Sequence, residues 1–254
     1  MIAEGIQKII DIAKNPLHTI HGLQYTQTSL TLVSPPSAAA FSVDTLDGFV
    51  NMLEAGIDNF EPANTVIHIL SYKNVQLVQR RATEYGKRIA HVEAKPTEGI
   101  TQFPFFNQPG PQEDFVIGLQ IHFQPMPESE FKAGQKVDDL VYLLDLASHI
   151  SSNVKAKLVD TGVSQEATLQ RGIAHKEDVE VRARVTLKPY RTFRELSQPA
   201  SDFIFRVNDG PKLALYEADG GTWKIAAIAA IQEWLTNRIQ TSEIVTLREI
   251  PIIS

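Results

Sequence analysis

The sequence predicts an α+β fold rich in antiparallel sheet and carrying several amphipathic helices. Three observations point there. Val179, Val181, Ala183, Val185 and Leu187 alternate with Glu180, Arg182, Arg184 and Thr186, the period of two that a half-buried strand imposes. Short turn signals, Asp160-Thr161-Gly162 and Asn208-Asp209-Gly210, separate strand-like runs, and connections that short force antiparallel pairing. Elsewhere apolar residues recur at helical spacing, after Lys136 and again behind Gly220-Gly221.

Taken in order, Ile2, Ile6, Ile9, Ile10 and Ala13 predict a short helix over residues 2–13, stopped at Asn15-Pro16. Leu30 to Val33 reads as a strand broken by Ser34-Pro35-Pro36. A helix follows from Val43 to Ala55, with Ser42 as its N-cap, Asp44 and Asp47 at the positive end of its dipole, and Gly56 beyond its end. Thr65 to Ser71 is a strand apolar on both faces apart from His68, and Lys73-Asn74 turns it into a partner holding Val75, Leu77 and Val78. Bases outnumber acids from Lys73 to Lys95, a run that reads as a solvated face ahead of a phosphate track. Residues 96–114 are irregular and rich in proline, glycine and phenylalanine. They mark the expected boundary between an N-terminal α/β portion, 1–95, and a larger α+β portion, 115–254. Phe103, Phe105 and Phe106 need a surface to bury against, either this chain's body or a neighbouring subunit.

Phe115 to Phe123 reads as a buried strand. From Lys136, Val137, Leu140, Val141, Leu144 and Ala147 form one apolar stripe, widened by Leu143, Leu146 and Ile150. Val154 to Gln170 reads as a hairpin. Strands at Val179–Leu187, Phe203–Val207 and Leu213–Tyr216 follow. Thr222 then caps a helix that buries Ala227, Ile228, Ile231, Trp234 and Leu235, and a last strand runs from Ile244 to Leu247.

Composition removes several classes of function. The 254 residues contain no cysteine, which excludes disulfides, thiolate catalysis and cysteine-ligated metal centres and fits a reducing cytoplasm. Thirty acids against twenty-four bases give a net charge of -6, so any anion site must be local. Residues 1–5 lack the features of a secretory signal, and no apolar run is long enough to cross a bilayer. The expectation is a protein that is not exported and engages no membrane.

The densest candidate site is basic and aromatic together. Arg182 and Arg184 share one face of the alternating strand, and Lys188, Tyr190, Arg191, Phe193 and Arg194 follow. Converging cations can hold a phosphate, and Tyr190 and Phe193 can stack on a base. The competing reading, which weighs more, pairs the arginines with acids such as Glu166 and anchors the two rings in the core. Glu217 to Thr222 stands before a helix N-terminus but lacks the spacing and lysine of a phosphate-binding loop, so a capped turn is expected. His18 and His21 have no acidic third ligand nearby, and no metal site is assigned. His68 and His122 read as hydrogen-bonded core histidines. Asp138-Asp139 and Glu113-Asp114 open elements without a partner base, so no catalytic residue is nominated and no cofactor is expected.

Lys188-Pro189-Tyr190-Arg191-Thr192-Phe193-Arg194-Glu195, with the stretches Gln198 to Arg206 and Glu217 to Lys224, resembles hypothetical proteins of tailed phages and prophages related to the YfdQ-like family of unknown function. The likeness extends to Phe115–Gln120, Leu143–Leu146 and Gly162–Gln165, roughly the C-terminal half. It implies a phage-encoded protein acting in the cytoplasm of a bacterial host, and it supplies no reaction and no site residue. The expected function is a non-enzymatic accessory protein that forms a homo-oligomer, assembly being suggested by the Phe-rich segment and the uncharged tail Ile250–Ser254. The alternatives are a nucleotide or nucleic-acid binder and, third, a metal-dependent hydrolase.

Overall fold

The computed structural model describes residues 3–7, 17–26, 39–80, 88–96, 103–150, 157–158, 165–171, 175–208 and 212–254. The chain divides into two compact units, Met1–Ala39 and Ala40–Ser254. In the first, residues 3–7 are helical, and β1 (Leu17–Ile20) pairs with antiparallel β2 (Leu23–Thr26). His21 (φ 51°) and Gly22 (φ 81°) both take left-handed backbone, as a two-residue turn matching the strand twist requires. His18 and His21 thus sit on a strand and a turn, not on a helix face. The strand expected at 30–33 lies outside the described residues.

The second unit opens with β3 (Phe41–Val43) and α1 (Leu46–Glu54). This helix starts later than its sequence suggests because Thr45, not Ser42, caps it: Thr45 Oγ1 accepts from the Gly48 amide at 3.0 Å, while Ser42 and Val43 belong to the strand. Next come β4 (Thr65–Ser71), β5 (Asn74–Arg80) and β6 (Arg88–Ala94). With β15 (Ile252–Ile253) they form a sheet in the order β15-β4-β5-β6-β3. Its inward residues Ile67, Ile69, Val75, Leu77 and Val92 pack on Phe49 and Leu53 of α1 and on Ile231 and Leu235 of α4 (Trp223–Gln240).

A second sheet joins β7 (Gly110–Pro111), β8 (Phe123–Gln124), β12 (Arg184–Pro189), β13 (Ser201–Asn208) and β14 (Lys212–Glu217) in the order β7-β14-β13-β12-β8. Its inward face, Val185, Leu187, Phe203, Phe205, Val207, Leu213 and Leu215, packs on α2 (Gln112–His122) and α3 (Asp139–His149). A small sheet holds β9 (Lys157–Leu158), β10 (Gln165–Arg171) and β11 (His175–Val181). The architecture is α+β and mostly antiparallel; only β3 with β6 and β15 with β4 run parallel between named strands. No helix among the described residues is long and apolar enough to cross a membrane.

Several elements differ from the sequence reading. Phe115–Phe123 is not a strand: residues 112–122 form α2, burying Phe115, Gly118 and Leu119 at helical spacing while Ile117 and Ile121 face outward. An apolar run this short fits either element until its neighbours choose. Helix α3 buries Leu140, Leu143, Leu146 and Ala147, so its inward face is rotated from the expected stripe and Val137 and Val141 are exposed. The single strand expected over Val179–Leu187 is two. β11 ends at Val181 and β12 begins at Arg184, because the chain changes sheets there while Val181 and Val185 enter one core. Residues 245–249 form a 3-10 turn, and the last strand is β15 instead.

The two cores do not follow chain order. Helix α4 and β15 come last in sequence yet complete the sheet of residues 65–94. Residues 103–114 of the expected connection belong to the second unit, where its phenylalanines take the first of their two expected roles. Phe103 is 4% exposed and meets Phe115 and Phe123 edge-on, and Phe106 stacks on Phe203 at 5.4 Å. A β-carbon at Gly110 would stand 1.9 Å from Phe105 Cε1, so glycine lets that ring lie against the backbone. The tail is likewise occupied within the chain: Ile250 is buried, and Ile252 and Ile253 pair with Ile67 and His68.

Candidate functional site

The predicted basic residues do not converge on one open surface. Arg182 sits at the break between β11 and β12, where its guanidinium lies 4.3 Å from the Tyr142 ring centroid and Nη1 donates to Asp139 Oδ1 at 3.3 Å. Its partner acid is therefore Asp139. Arg184 is exposed on β12, opposite Ile204. Lys188 is 2% exposed, and its Nζ donates to both Glu130 oxygens, at 3.0 and 2.8 Å, and to Ser197 Oγ. Arg191 and Phe193 are buried; Tyr190 is half-buried, and exposed Arg194 lies 5.3 Å from its ring centroid.

What these residues build is a joint between the two cores. Lys188 and Pro189 still pair with β8 in the second sheet, and the Tyr190 amide donates to His122 O at 2.9 Å. Phe193 and Leu196, a few residues on, are buried in the core of the first sheet. Between them the Thr192 hydroxyl donates to Tyr72 O, in the turn between β4 and β5. Gln198, 2% exposed, closes the loop. Its Oε1 accepts from the Arg191 and Thr192 amides at 2.9 and 3.2 Å, and its Nε2 donates to Phe193 O and Leu196 O. Glu195 Oε1 accepts from the Leu46 amide at 2.7 Å, placing a carboxylate on the positive end of α1. The Lys188 ammonium, the Arg191 and Thr192 amides, the Thr192 hydroxyl and the Gln198 amide group thus each have a structural partner, which burial of polar groups demands.

Arg191 is the centre of this joint. Its guanidinium lies 4.4, 4.9 and 5.2 Å from the ring centroids of Trp223, Phe106 and Phe203, and Nη2 stands 2.6 Å from Glu217 Oε1. Burial pulls the guanidinium below its ordinary value, while Glu217 and Asp219 push the other way. A cavity of about 150 Å³ adjoins it, walled by Tyr72, Phe106, Arg191, Glu217 and Trp223. The Glu217–Thr222 turn is an Asx turn: Asp219 Oδ1 accepts from the Gly221 amide at 3.0 Å, and the Thr222 hydroxyl donates back to Asp219 O. Thr222 therefore does not cap α4 with its side chain, contrary to its sequence position.

The remaining candidates are also placed. Asp138 caps α3 through Leu140 and accepts from the Met126 amide, and Asp139 accepts from the Thr186 amide at 2.7 Å. Both acids stitch α3 to its surroundings. Burial works to raise the Asp202 carboxyl, but hydrogen bonds from Thr186 and Lys132 outweigh it and hold it below the ordinary aspartate range. Among the described residues no three His, Asp or Glu side chains cluster as metal ligands. The hydrogen-bonded core histidine is His91, between Asp58 and Gln79 at 3.0 and 2.8 Å. His68 has no such partner among the described residues and lines a groove instead.

That groove, about 410 Å³, lies on the face of the first sheet turned away from α1 and α4. Period-two alternation puts Val66 and His68 opposite to Ile67 and Ile69, and the register sets Val66 against Val78, Ile253 beside His68, and Arg80 directly across from Arg88. The sequence places both arginines in a basic run but does not show that they are cross-strand partners. Compared with known protein families, curated proteins and solved structures, the chain matches none.

Proposed function

We propose that this is a non-enzymatic accessory protein that works as a homo-oligomer, associating through the outer side of the α2–α3 layer. The observation that carries the reading is apolar surface left outside the core. Ile117 and Ile121 on α2, and Val137 and Val141 before and on α3, are between 45% and 59% exposed, each pair at i, i+4. Gln112 Nε2, at the start of α2, donates to Ala147 O and Ile150 O at the end of α3, so the two helices share one layer. Apolar side chains left exposed on two adjoining helices give that layer a surface that association would cover. The likeness of residues 188–224 to phage proteins supports a phage-encoded protein in a bacterial cytoplasm as its setting.

Native mass spectrometry of freshly purified protein tests the association. An oligomer is expected, with the Ile121→Lys, Val141→Lys double variant returned to monomer and its melting temperature little changed, because both side chains are exposed. A wild-type monomer at micromolar concentration contradicts the proposal.

A further inference from the structure

The groove behind the first sheet holds two like charges at directly opposed cross-strand positions. Arg80 and Arg88 are directly opposite across β5 and β6, and like charges in that relation destabilise the ladder. Neither meets a carboxylate among the described residues, whereas Arg182, Lys188, Arg191 and Arg238 each do. Both are exposed and both line the 410 Å³ groove, within the size range of small-molecule sites. Their neighbours there are Val66, Val78 and Ile253, an apolar floor, with His68 and Asn64 as the polar groups beside it.

We propose that this groove binds a small phosphomonoester, its phosphoryl oxygens bridging the Arg80 and Arg88 guanidiniums and its organic part lying on Val66 and Val78. Two planar guanidiniums offer parallel N–H donors matched to phosphoryl oxygens, and a dianion between them turns their mutual repulsion into attraction. The apolar floor gives the organic part a surface to bury, so an ester binds more tightly than bare phosphate. The surrounding protein is acidic overall, which disfavours a long polyanion and favours one local phosphoryl group. This site is independent of the association surface on α2 and α3.

Calorimetric titration of the full chain tests it, with AMP and inorganic phosphate as separate probes and a ten-nucleotide single strand as a third. AMP is expected to bind, phosphate to bind at least tenfold more weakly, and the oligonucleotide no better than AMP. Arg80→Gln and Arg88→Gln should each weaken AMP about tenfold or more, while Arg194→Gln leaves it unchanged. Without ligand, Arg88→Gln should melt slightly higher than wild type, since it relieves the like-charge pair; this also shows that the variant folds. Absence of AMP binding at millimolar concentration overturns the assignment, as does equal loss in Arg194→Gln, or an oligonucleotide that outcompetes AMP.

Discussion

Phe193→Ala is expected to lower the unfolding free energy by about 3–5 kcal/mol, the usual cost of emptying a fully buried phenylalanine site. Phe193 is completely buried in the first core, yet it sits two residues after Arg191, whose guanidinium stacks on Phe106 and Phe203 of the second. Truncation leaves a cavity that the loop cannot close by moving, because Gln198 and the Thr192–Tyr72 hydrogen bond fix its backbone from both sides. Urea denaturation measures the loss. Arg194→Ala, one residue on and exposed, is the control and should stay within about 0.5 kcal/mol of wild type. Equal, small effects from the two substitutions would mean that the loop does not join the cores.

The second large effect comes from the ion pair at Lys188, where the two partners are expected to behave unequally. Lys188 is 2% exposed and Glu130 is 43% exposed. Glu130→Ala strands a buried ammonium whose remaining partner is Ser197 Oγ, and stranding one member of a buried pair costs about 3–5 kcal/mol. Water reaches Glu130 and screens part of that, so about 2 kcal/mol is expected. Lys188→Met removes the charge that needs a partner and leaves an apolar chain of similar shape, so it should fall within about 1 kcal/mol of wild type. Thermal melts of both variants decide it. The reverse order would place the ammonium in water, not in the core.

The fold was readable from sequence where local pattern and burial agree. The strands at Thr65–Ser71 and Phe203–Val207, the short turn from the first of these into Val75–Val78, and the helix behind Gly220-Gly221 stand where the local pattern puts them, although Thr65–Ser71 buries one face and not the expected two. Reading failed where tertiary contacts choose between equivalent local options. Phe115–Phe123 has no period strong enough to separate strand from helix, and Phe103 and Phe105 settle the matter by packing on Gly118. The alternation through Val179–Leu187 continues across a change of sheet because both halves face one core, so the break at Arg182 leaves no mark in the pattern.

The basic segment leaves two readings open for a related reason. Interleaved cations and rings describe a phosphate site and a buried cation–π joint equally well, and the partners that distinguish them are remote in sequence. Glu130 is 58 residues from Lys188, and Tyr72 is 120 from Thr192. Glu217 follows Arg191 by only one hairpin, yet its role also depends on where β14 lies. The Arg80–Arg88 pair is hidden differently. Both residues stand in the basic run, but only the register of β5 and β6, which carries a bulge between Leu77 and Val78, sets them opposite each other.

Cations used to join two cores at 188–198, and cations left facing a groove at 80 and 88, should respond differently to ligand. Hydrogen–deuterium exchange of the wild-type protein with and without saturating AMP reads that difference most directly. Slower exchange is expected in peptides covering residues 74–80 and 88–94, with residues 188–198 unchanged and already protected. Protection that appears at 188–198, or no change in either region, contradicts this division.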